Sequence, residues 1–149
     1  MRRVEVKLTH RGGRQAELTL HDCAVDEACG EERTTWTCEH RVRSAVNMIA
    51  FRKATASAPT VSNWWDDGSN RIAFGRGDRG FVVINREATG TTRTFATGMA
   101  PGRYCDVVGG DFAGGACTGT VVTVDSGGQA DIAVPANGAV AINVGAALP

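Results

Sequence analysis

The chain has 149 residues, about the length of one domain built on a single hydrophobic core. Its 16 basic residues balance 16 acidic ones, so no net positive field favours a nucleic acid or an anionic membrane as partner. No apolar run approaches the ~20 residues of a membrane span, and charged residues interrupt the run that a signal peptide needs. We therefore predict no nucleic-acid partner, no membrane segment and no signal peptide in the chain as written.

Residues 1 to about 35 are highly charged and show no sustained hydrophobic period. The segments VEVKLTH and QAELTLH each alternate as short strands do, but glycines and arginines separate them and the acidic run DEACGEE follows. Because no longer pattern joins these pieces, we assign no fold to this segment.

Five cysteines are present: Cys23, Cys29, Cys38, Cys105 and Cys117. An odd number leaves one cysteine unpaired if the others form disulfides. The first three, with His40, also make a four-ligand set for zinc, but they lack the paired C-x-x-C element typical of structural zinc sites. Disulfides imply an oxidising compartment, which conflicts with the missing signal peptide and indicates a fragment.

From Glu39 to about Ala54 the hydrophobic period is helical. Four apolar residues recur at the spacing i, i+3, i+4 and i+7: Val42, Ala45, Val46 and Ile49. Glu39 suits the start of the helix dipole, and Arg52 suits its end. A lone helix of about sixteen residues is marginal in water, so we expect its apolar stripe to pack against another element. The segment TASAPTVSN that follows predicts a linker.

From Trp64 onward, short β-prone segments recur at regular intervals, separated by glycine and by Asp or Asn turn residues. The segments are RIAFG, GFVVIN, TRTFAT, RYCDVV, TVVTV, ADIAV and AVAINV. This spacing predicts an antiparallel β-sandwich or barrel.

The segment IAFGRGDRGFVVIN matches three motifs at once. Gly75, Gly77 and Gly80 fit the G-x-G-x-x-G dinucleotide motif, but that motif needs a helix after its last glycine, and a β-branched run follows here. Residues 76–78 spell Arg-Gly-Asp, the cell-adhesion tripeptide, which a chain rich in these residues also produces by chance. We interpret the glycines as turn residues of a hairpin joining RIAFG to GFVVIN.

Three blocks in order resemble a known family: WTCEHRVRSAVNMIAFRKAT, NWWDDGSNRIAFGRGDRGFVVINRE and TFATGMAPGRYCDVVGGDFAGGACTGTVVTV. They are similar to the C-terminal part of α-amylases of glycoside hydrolase family 13, particularly the animal-like group that includes secreted actinobacterial enzymes. The resemblance runs from about Trp36 to Val144. It implies that residues 36–57 are the last helix of the catalytic (β/α)8 barrel. It also implies that residues 61–149 form domain C, a mainly β, antiparallel Greek-key β-sandwich.

The same resemblance implies the disulfides and the location of the catalytic apparatus. Cys105 and Cys117 correspond to the bridge of domain C, and Cys38 would pair with an upstream cysteine, of which Cys29 is the nearest. The family takes its catalytic carboxylates and its calcium and chloride ligands from preceding barrel segments, which implies no catalytic residue, no metal ligand and no cofactor here. Val42 departs from the family, which usually has Trp there. Residues 1–35 do not resemble the expected barrel segment, and a wrong start site, a shifted reading frame or disorder would explain that.

Local acids offer no substitute for the family's catalytic pair. Retaining glycosidases need two carboxyl groups about 5 Å apart. Asp66 and Asp67 are adjacent, so their side chains point to opposite faces of a strand, and before Gly68 they are best explained as turn formers. His10, His21 and His40 all precede the β-rich region, and no G-x-S-x-G motif exists. We expect no hydrolysis from this polypeptide alone.

Trp64 and Trp65 are the candidate carbohydrate-binding residues. In an extended strand one ring should enter the core and the other should face outward, where it would offer a flat platform for the C–H face of glucose. The alternative, which we favour at this point, is that both rings close the interface between domain C and the barrel.

The function that the resemblance implies is structural. The chain would be the C-terminal all-β domain of a secreted, monomeric α-amylase that cleaves α-1,4-glucosidic bonds in starch. It would meet α-glucan only through the full-length enzyme. A stand-alone starch-binding module is the alternative function, and a cell-adhesion ligand is the third. Retention on insoluble starch would distinguish the module.

Overall fold

A computed structural model describes residues 3–9, 15–21 and 42–149. The chain divides into two compact units, Met1–Cys38 and Glu39–Pro149. In the first unit, β1 (Arg3–Thr9) pairs antiparallel with β2 (Gln15–His21). The alternating segments VEVKLTH and QAELTLH therefore correspond to two strands that pair with each other.

Some predicted features lie outside the described residues. These are the pairing of Cys29 with Cys38 and the predicted helix start at Glu39, which stay predictions. The four residues weighed as a zinc set, which the sequence did not favour, also lie there.

The helix α1 (Arg43–Ala54) begins the described part of the second unit. Its one fully buried side chain is Phe51, whereas all four residues of the predicted apolar stripe are exposed. The expectation that this stripe packs against another element is therefore wrong for the described residues. The helix instead docks through a different side, because Phe51 and Met48 lie in an apolar cluster with the strands.

Eleven strands follow in the second unit. They are β3 (Ser62–Asp66), β4 (Arg71–Gly75), β5 (Gly80–Asn85), β6 (Thr91–Ala96), β7 (Gly102–Cys105), β8 (Phe112–Ala113), β9 (Ala116–Cys117), β10 (Val121–Val124), β11 (Gln129–Val134), β12 (Gly138–Asn143) and β13 (Ala147–Leu148). Each of the seven predicted β segments overlaps one strand, with bounds that differ by a few residues at most. The short strands β8, β9 and β13 were not predicted, and β3 begins inside the predicted linker.

All strand pairs of the second unit are antiparallel. One sheet has the order β12-β5-β4-β3, and the opposing strands form the sheets β11-β6 and β10-β7-β13. The last long strand, β12, thus returns to pair with β5 instead of its sequence neighbour, as in a Greek key. The predicted mainly β, antiparallel sandwich preceded by one helix is confirmed.

The main core lies between these sheets. Phe81 and Ile142 of the four-stranded sheet belong to the same buried cluster as Phe95, Val122 and Ile132 of the opposing strands. Alternate residues of β11 are buried and exposed, which is the expected pattern for a strand with one face on a core.

Candidate functional site

The four-stranded sheet has a second apolar face, which we call the helix-side face. It contains Phe74, Val82, Ile84 and Ala141, which alternate with the core residues along β4, β5 and β12. Phe51 of α1 belongs to the same cluster of buried and partly buried side chains. Because β5 is buried on both of its faces, its central residues form the continuous apolar run FVVI.

Polar contacts attach the N-terminal half of α1 to a loop of the sandwich. Asn47 Nδ2 donates to Gly110 O at 3.0 Å and to Asp111 Oδ1 at 2.9 Å. Arg43 donates to Gly109 O at 3.0 Å. Neither Arg43 nor Asn47 belongs to the apolar stripe, so a polar side of α1 contacts the sandwich.

The loop that receives α1 is closed by a disulfide between Cys105 and Cys117, whose Cα atoms are 5.5 Å apart. The pairing implied by the family resemblance is therefore present. Inside the loop, the buried carboxylate of Asp106 accepts hydrogen bonds from the amides of Val108, Gly109 and Ala141, each at 3.0 Å. The bond to Ala141 connects the loop to β12. The disulfide and the buried Asp106 carboxylate therefore both stabilise the loop that contacts α1.

The hairpin between β4 and β5 contacts the other end of α1. Arg79 Nε donates to Ala54 O at 3.2 Å, and Arg76 Nε donates to Ala58 O at 2.9 Å. A Cβ atom on Gly80 would lie 2.8 Å from Thr55 Cγ2, so the close approach of the helix end requires glycine there.

This geometry decides between the three interpretations of residues 75–80. A strand follows Gly80, as the hairpin interpretation predicted, so no helix N-terminus exists for a pyrophosphate. The side chain of Arg76 is directed back to the segment after α1, which removes it from the free tip that an adhesion ligand needs.

The apolar stripe of α1 takes part in none of these contacts. Val42 is 51% exposed, Val46 is 45% exposed and Ile49 is 58% exposed. Large apolar side chains repeated along one side of a helix and left in solvent indicate a contact with a further element.

The two neighbouring tryptophans occupy different environments. Trp65 packs against the main core, with its ring edge towards Phe95 at a centroid distance of 5.3 Å. Trp64 is 55% exposed and stacks on Phe74 at 6.3 Å. One ring therefore lies on the core and the other faces outward, as alternation along a strand predicted.

The acids that follow these tryptophans form a turn, as predicted. Asp66 Oδ1 accepts from the amide of Gly68 at 3.0 Å, and Asp67 Oδ1 accepts from the amides of Ser69 at 2.9 Å and Arg71 at 3.1 Å. Desolvation raises the pKa of the Asp67 carboxyl, but these amides and the Arg71 guanidinium outweigh it and hold the pKa below its ordinary value.

Glu87 belongs to the same turn network. Its Oε1 accepts from Asn70 Nδ2 at 3.0 Å and from Ser69 Oγ at 2.8 Å, and these bonds lower the pKa of the Glu87 carboxyl. Both carboxylates are thus stabilised as anions that organise a turn, whereas a general acid needs a raised pKa.

Neither a metal-ligand cluster nor a membrane-spanning helix is found in the described part of the chain. Among residues 3–9, 15–21 and 42–149, no group of three or more His, Cys, Asp or Glu side chains is arranged to hold a metal ion. The helix in this part of the chain is too short and too polar to cross a membrane.

Comparison with known proteins gives matches that agree, because each is to an alpha-amylase or to its C-terminal domain. The family model described as "Alpha amylase, C-terminal all-beta domain" matches residues 62–145. Alpha-amylase of Acarus siro is 50% identical over 108 residues, which are 72% of this chain and 20% of that protein. Pancreatic alpha-amylase of Rattus norvegicus is 42% identical over 125 residues, covering 84% of this chain and 23% of that protein.

Solved structures of alpha-amylase I from Eisenia fetida, one of them a mutant in complex with maltohexaose, also match. They are 45% identical with a TM-score of 0.65, and the match covers 73% of this chain and 23% of theirs. This chain thus spans between a fifth and a quarter of the length of these relatives. It belongs to the family of the alpha-amylase C-terminal all-beta domain.

Proposed function

We propose that this chain is the C-terminal part of a secreted α-amylase that cleaves α-1,4-glucosidic bonds in starch. In this proposal residues 36–57 are the last helix of the catalytic barrel, and residues 61–149 are domain C. The chain supports the barrel structurally, and the whole enzyme, acting as an extracellular monomer, binds the α-glucan.

One observation carries the proposal, namely the exposed stripe of Val42, Val46 and Ile49 on a helix that is otherwise docked. Burying one side chain of this size contributes about 1.5–3 kcal/mol. The sandwich uses the opposite side of α1, so a helix placed between a barrel and domain C accounts for both sides. The matches with alpha-amylases, of which this chain spans about a fifth, support the barrel as the partner of this stripe.

The state of the acidic residues supports a non-catalytic role. Asp66 and Asp67 accept hydrogen bonds within a turn, and Asp106 is buried among backbone amides. A glycosidase needs one carboxyl that retains its proton near neutral pH and a second one close by. We therefore assign catalysis, together with the family's calcium and chloride ligands, to the barrel.

A chimera tests this proposal. The C-terminal part of Acarus siro alpha-amylase that aligns with this chain is replaced by residues 36–149, and the purified chimera is assayed on soluble starch. We expect hydrolysis comparable to that of the parent enzyme. The double variant Val46→Asp, Ile49→Asp should lose about 3 kcal/mol or more of stability in the chimera, because charges would be buried against the barrel.

The matched control is Ala56→Asp, Ser57→Asp, which adds the same charges at two exposed positions just beyond α1. This control should melt close to the unsubstituted chimera. Equal melting temperatures and equal hydrolysis for the two double variants would show that the stripe does not contact the barrel.

A further inference from the structure

A small pocket lies where α1 meets the sandwich, and we call it the seam pocket. Its volume is about 100 Å³. The lining residues used below are Asn47 and Ala50 of α1, Val107 and Phe112 of the disulfide-closed loop, and Asn143 at the end of β12. A helix, a loop and a strand that are far apart in the sequence thus meet at one pocket.

Asn143 directs a buried side-chain amide to this pocket. The residue is 3% exposed, and it lies two positions after Ala141 in β12, so its side chain is on the helix-side face. Asn143 Oδ1 accepts from the amide of Gly145 at 2.8 Å. The oxygen is therefore used by the turn that follows β12, and the donor group of the same amide, Nδ2, remains.

The Nδ2 group of Asn143 donates to no residue within 3–9, 15–21 and 42–149. In the same described residues, every side-chain nitrogen or oxygen that is closed off from solvent has a hydrogen-bond partner. Nδ2 is therefore open to the seam pocket, which Asn143 lines. Because a buried donor without a partner loses its hydration, the pocket favours a ligand that accepts a hydrogen bond.

The wall that α1 contributes carries a matching acceptor. Asn47 Nδ2 makes both contacts with the loop, to Gly110 O and to Asp111 Oδ1, and Asn47 Oδ1 takes part in neither of them. An amide oxygen accepts hydrogen bonds through its lone pairs. The remaining wall is mostly apolar, with Val107 and Phe112 among its residues. The seam pocket thus offers one donor and one acceptor within an apolar lining.

The size of the pocket decides between a small organic molecule and water. Sites for small organic ligands usually have about 300–1,000 Å³, so a sugar or a nucleotide is too large for a pocket of about 100 Å³. One water molecule takes up about 30 Å³ in the liquid, which gives room for about three of them. A wholly apolar pocket of this volume stays dry, whereas amide groups hold water by hydrogen bonds.

We propose that the seam pocket binds about three ordered water molecules. One of them accepts a hydrogen bond from Asn143 Nδ2 and donates one to Asn47 Oδ1. The helix α1 then docks in two ways, because its C-terminal half packs Phe51 directly on the helix-side face and its N-terminal half is connected to β12 through water. This site lies between α1 and the sandwich, so it does not require the barrel.

Nuclear Overhauser effects between water and protein protons of the isotope-labelled 149-residue chain test the proposal. Val107 is 5% exposed, and its methyl protons do not exchange with water. Among the described residues that line the pocket, none has a hydroxyl, an imidazole or a charged side chain, whose rapidly exchanging protons imitate bound water. We expect a signal with the sign of long-lived water at the Val107 methyls, and none at Val83 in the main core.

Substitutions at two lining residues separate this site from other hydration. Ala50→Leu places a larger apolar side chain at the pocket, Asn143→Leu removes the donor, and both should lose the Val107 signal. Because Ala50 is exposed, Ala50→Leu should fold as the parent does even where the buried change at Asn143 disturbs the turn. Ala45→Leu is the matched control, since Ala45 is an exposed alanine of the same helix that does not line the pocket, and it should keep the signal.

Three results would overturn the proposal. The first is no water signal at Val107 in a chain whose spectrum shows Phe51 in contact with the strands. The second is a Val107 signal that persists in Ala50→Leu, since water would then reach these methyls by another route. The third is a signal of equal strength at Val83, which would mean that the signal does not come from the seam pocket.

Discussion

The two sides of α1 differ in a way that reverses the usual amphipathic helix. The side that meets the sandwich does so through Asn47 and Arg43, with Phe51 as its one fully buried residue. The side with more apolar residues, including Val46 and Ile49, faces solvent. Hydrophobic periodicity thus located the apolar side of the helix, but the sandwich packs against the opposite side. The proposed position of α1 between the barrel and domain C requires two contact faces, and only one of them is an apolar stripe.

The largest loss of stability should come from a substitution on the side of α1 that packs against the sandwich. Phe51→Ala removes the ring that packs on the helix-side face, and it should lower the free energy of unfolding by about 3 kcal/mol. Urea unfolding followed by circular dichroism measures it. Phe51→Leu, which keeps most of the volume, should lose clearly less. A loss below 1 kcal/mol for Phe51→Ala, about the effect of an ordinary surface change, would mean that α1 barely docks in solution.

The disulfide should rank second, because it closes the loop that receives Asn47. Cross-linking residues 12 apart contributes about 2–3 kcal/mol in the loop-entropy model. The variant Cys105→Ser, Cys117→Ser should therefore melt at a lower temperature under oxidising conditions. It should also show faster amide exchange at the N-terminal end of α1, whereas exchange in β11 should change little. Equal protection of α1 in both proteins would disconnect the bridge from the docking of the helix.

The smallest loss of stability should come from substitutions on the exposed side of α1. Val46→Ser and Ile49→Ser change residues that are about half exposed, so each should alter the stability of the isolated chain by less than about 0.5 kcal/mol. The same urea titration measures both variants beside Phe51→Ala. A loss approaching that of Phe51→Ala would show that the stripe is buried within this chain in solution, and the comparison of the two sides would fail.

Local sequence patterns accounted for most of the sandwich. Segments such as RIAFG and GFVVIN became β4 and β5 with the same bounds, because alternation and Gly-rich turns act over a few residues. The two-residue strands β8, β9 and β13 were not predicted, because two residues are too few to show a hydrophobic period. Ser62 and Asn63 at the start of β3 are of residue types typical of linkers, so the sequence predicted a linker there. They belong to a strand because β3 pairs with β4.

The candidate site residues were likewise predicted in part from local sequence. The adjacency of Trp64 and Trp65 in the sequence required opposite orientations in a strand, and the Asp66 and Asp67 turn followed from ordinary turn chemistry. Which tryptophan would be exposed did not follow from adjacency. The register with Ala73 decides it by turning Trp65 towards the core.

What the sequence by itself determined, then, is local: strand periods, the helix and the turns, and through the three resembling blocks, the family and its Cys105–Cys117 bridge. Tertiary structure alone decided which side of α1 docks, because the bonds from Asn47 to Gly110 and Asp111 join residues more than 60 positions apart. It also decided the role of Asp106, whose contact with the amide of Ala141 spans 35 positions. Short-range patterns report propensity and burial, whereas the choice of partner depends on which distant backbone groups the fold brings within hydrogen-bonding distance.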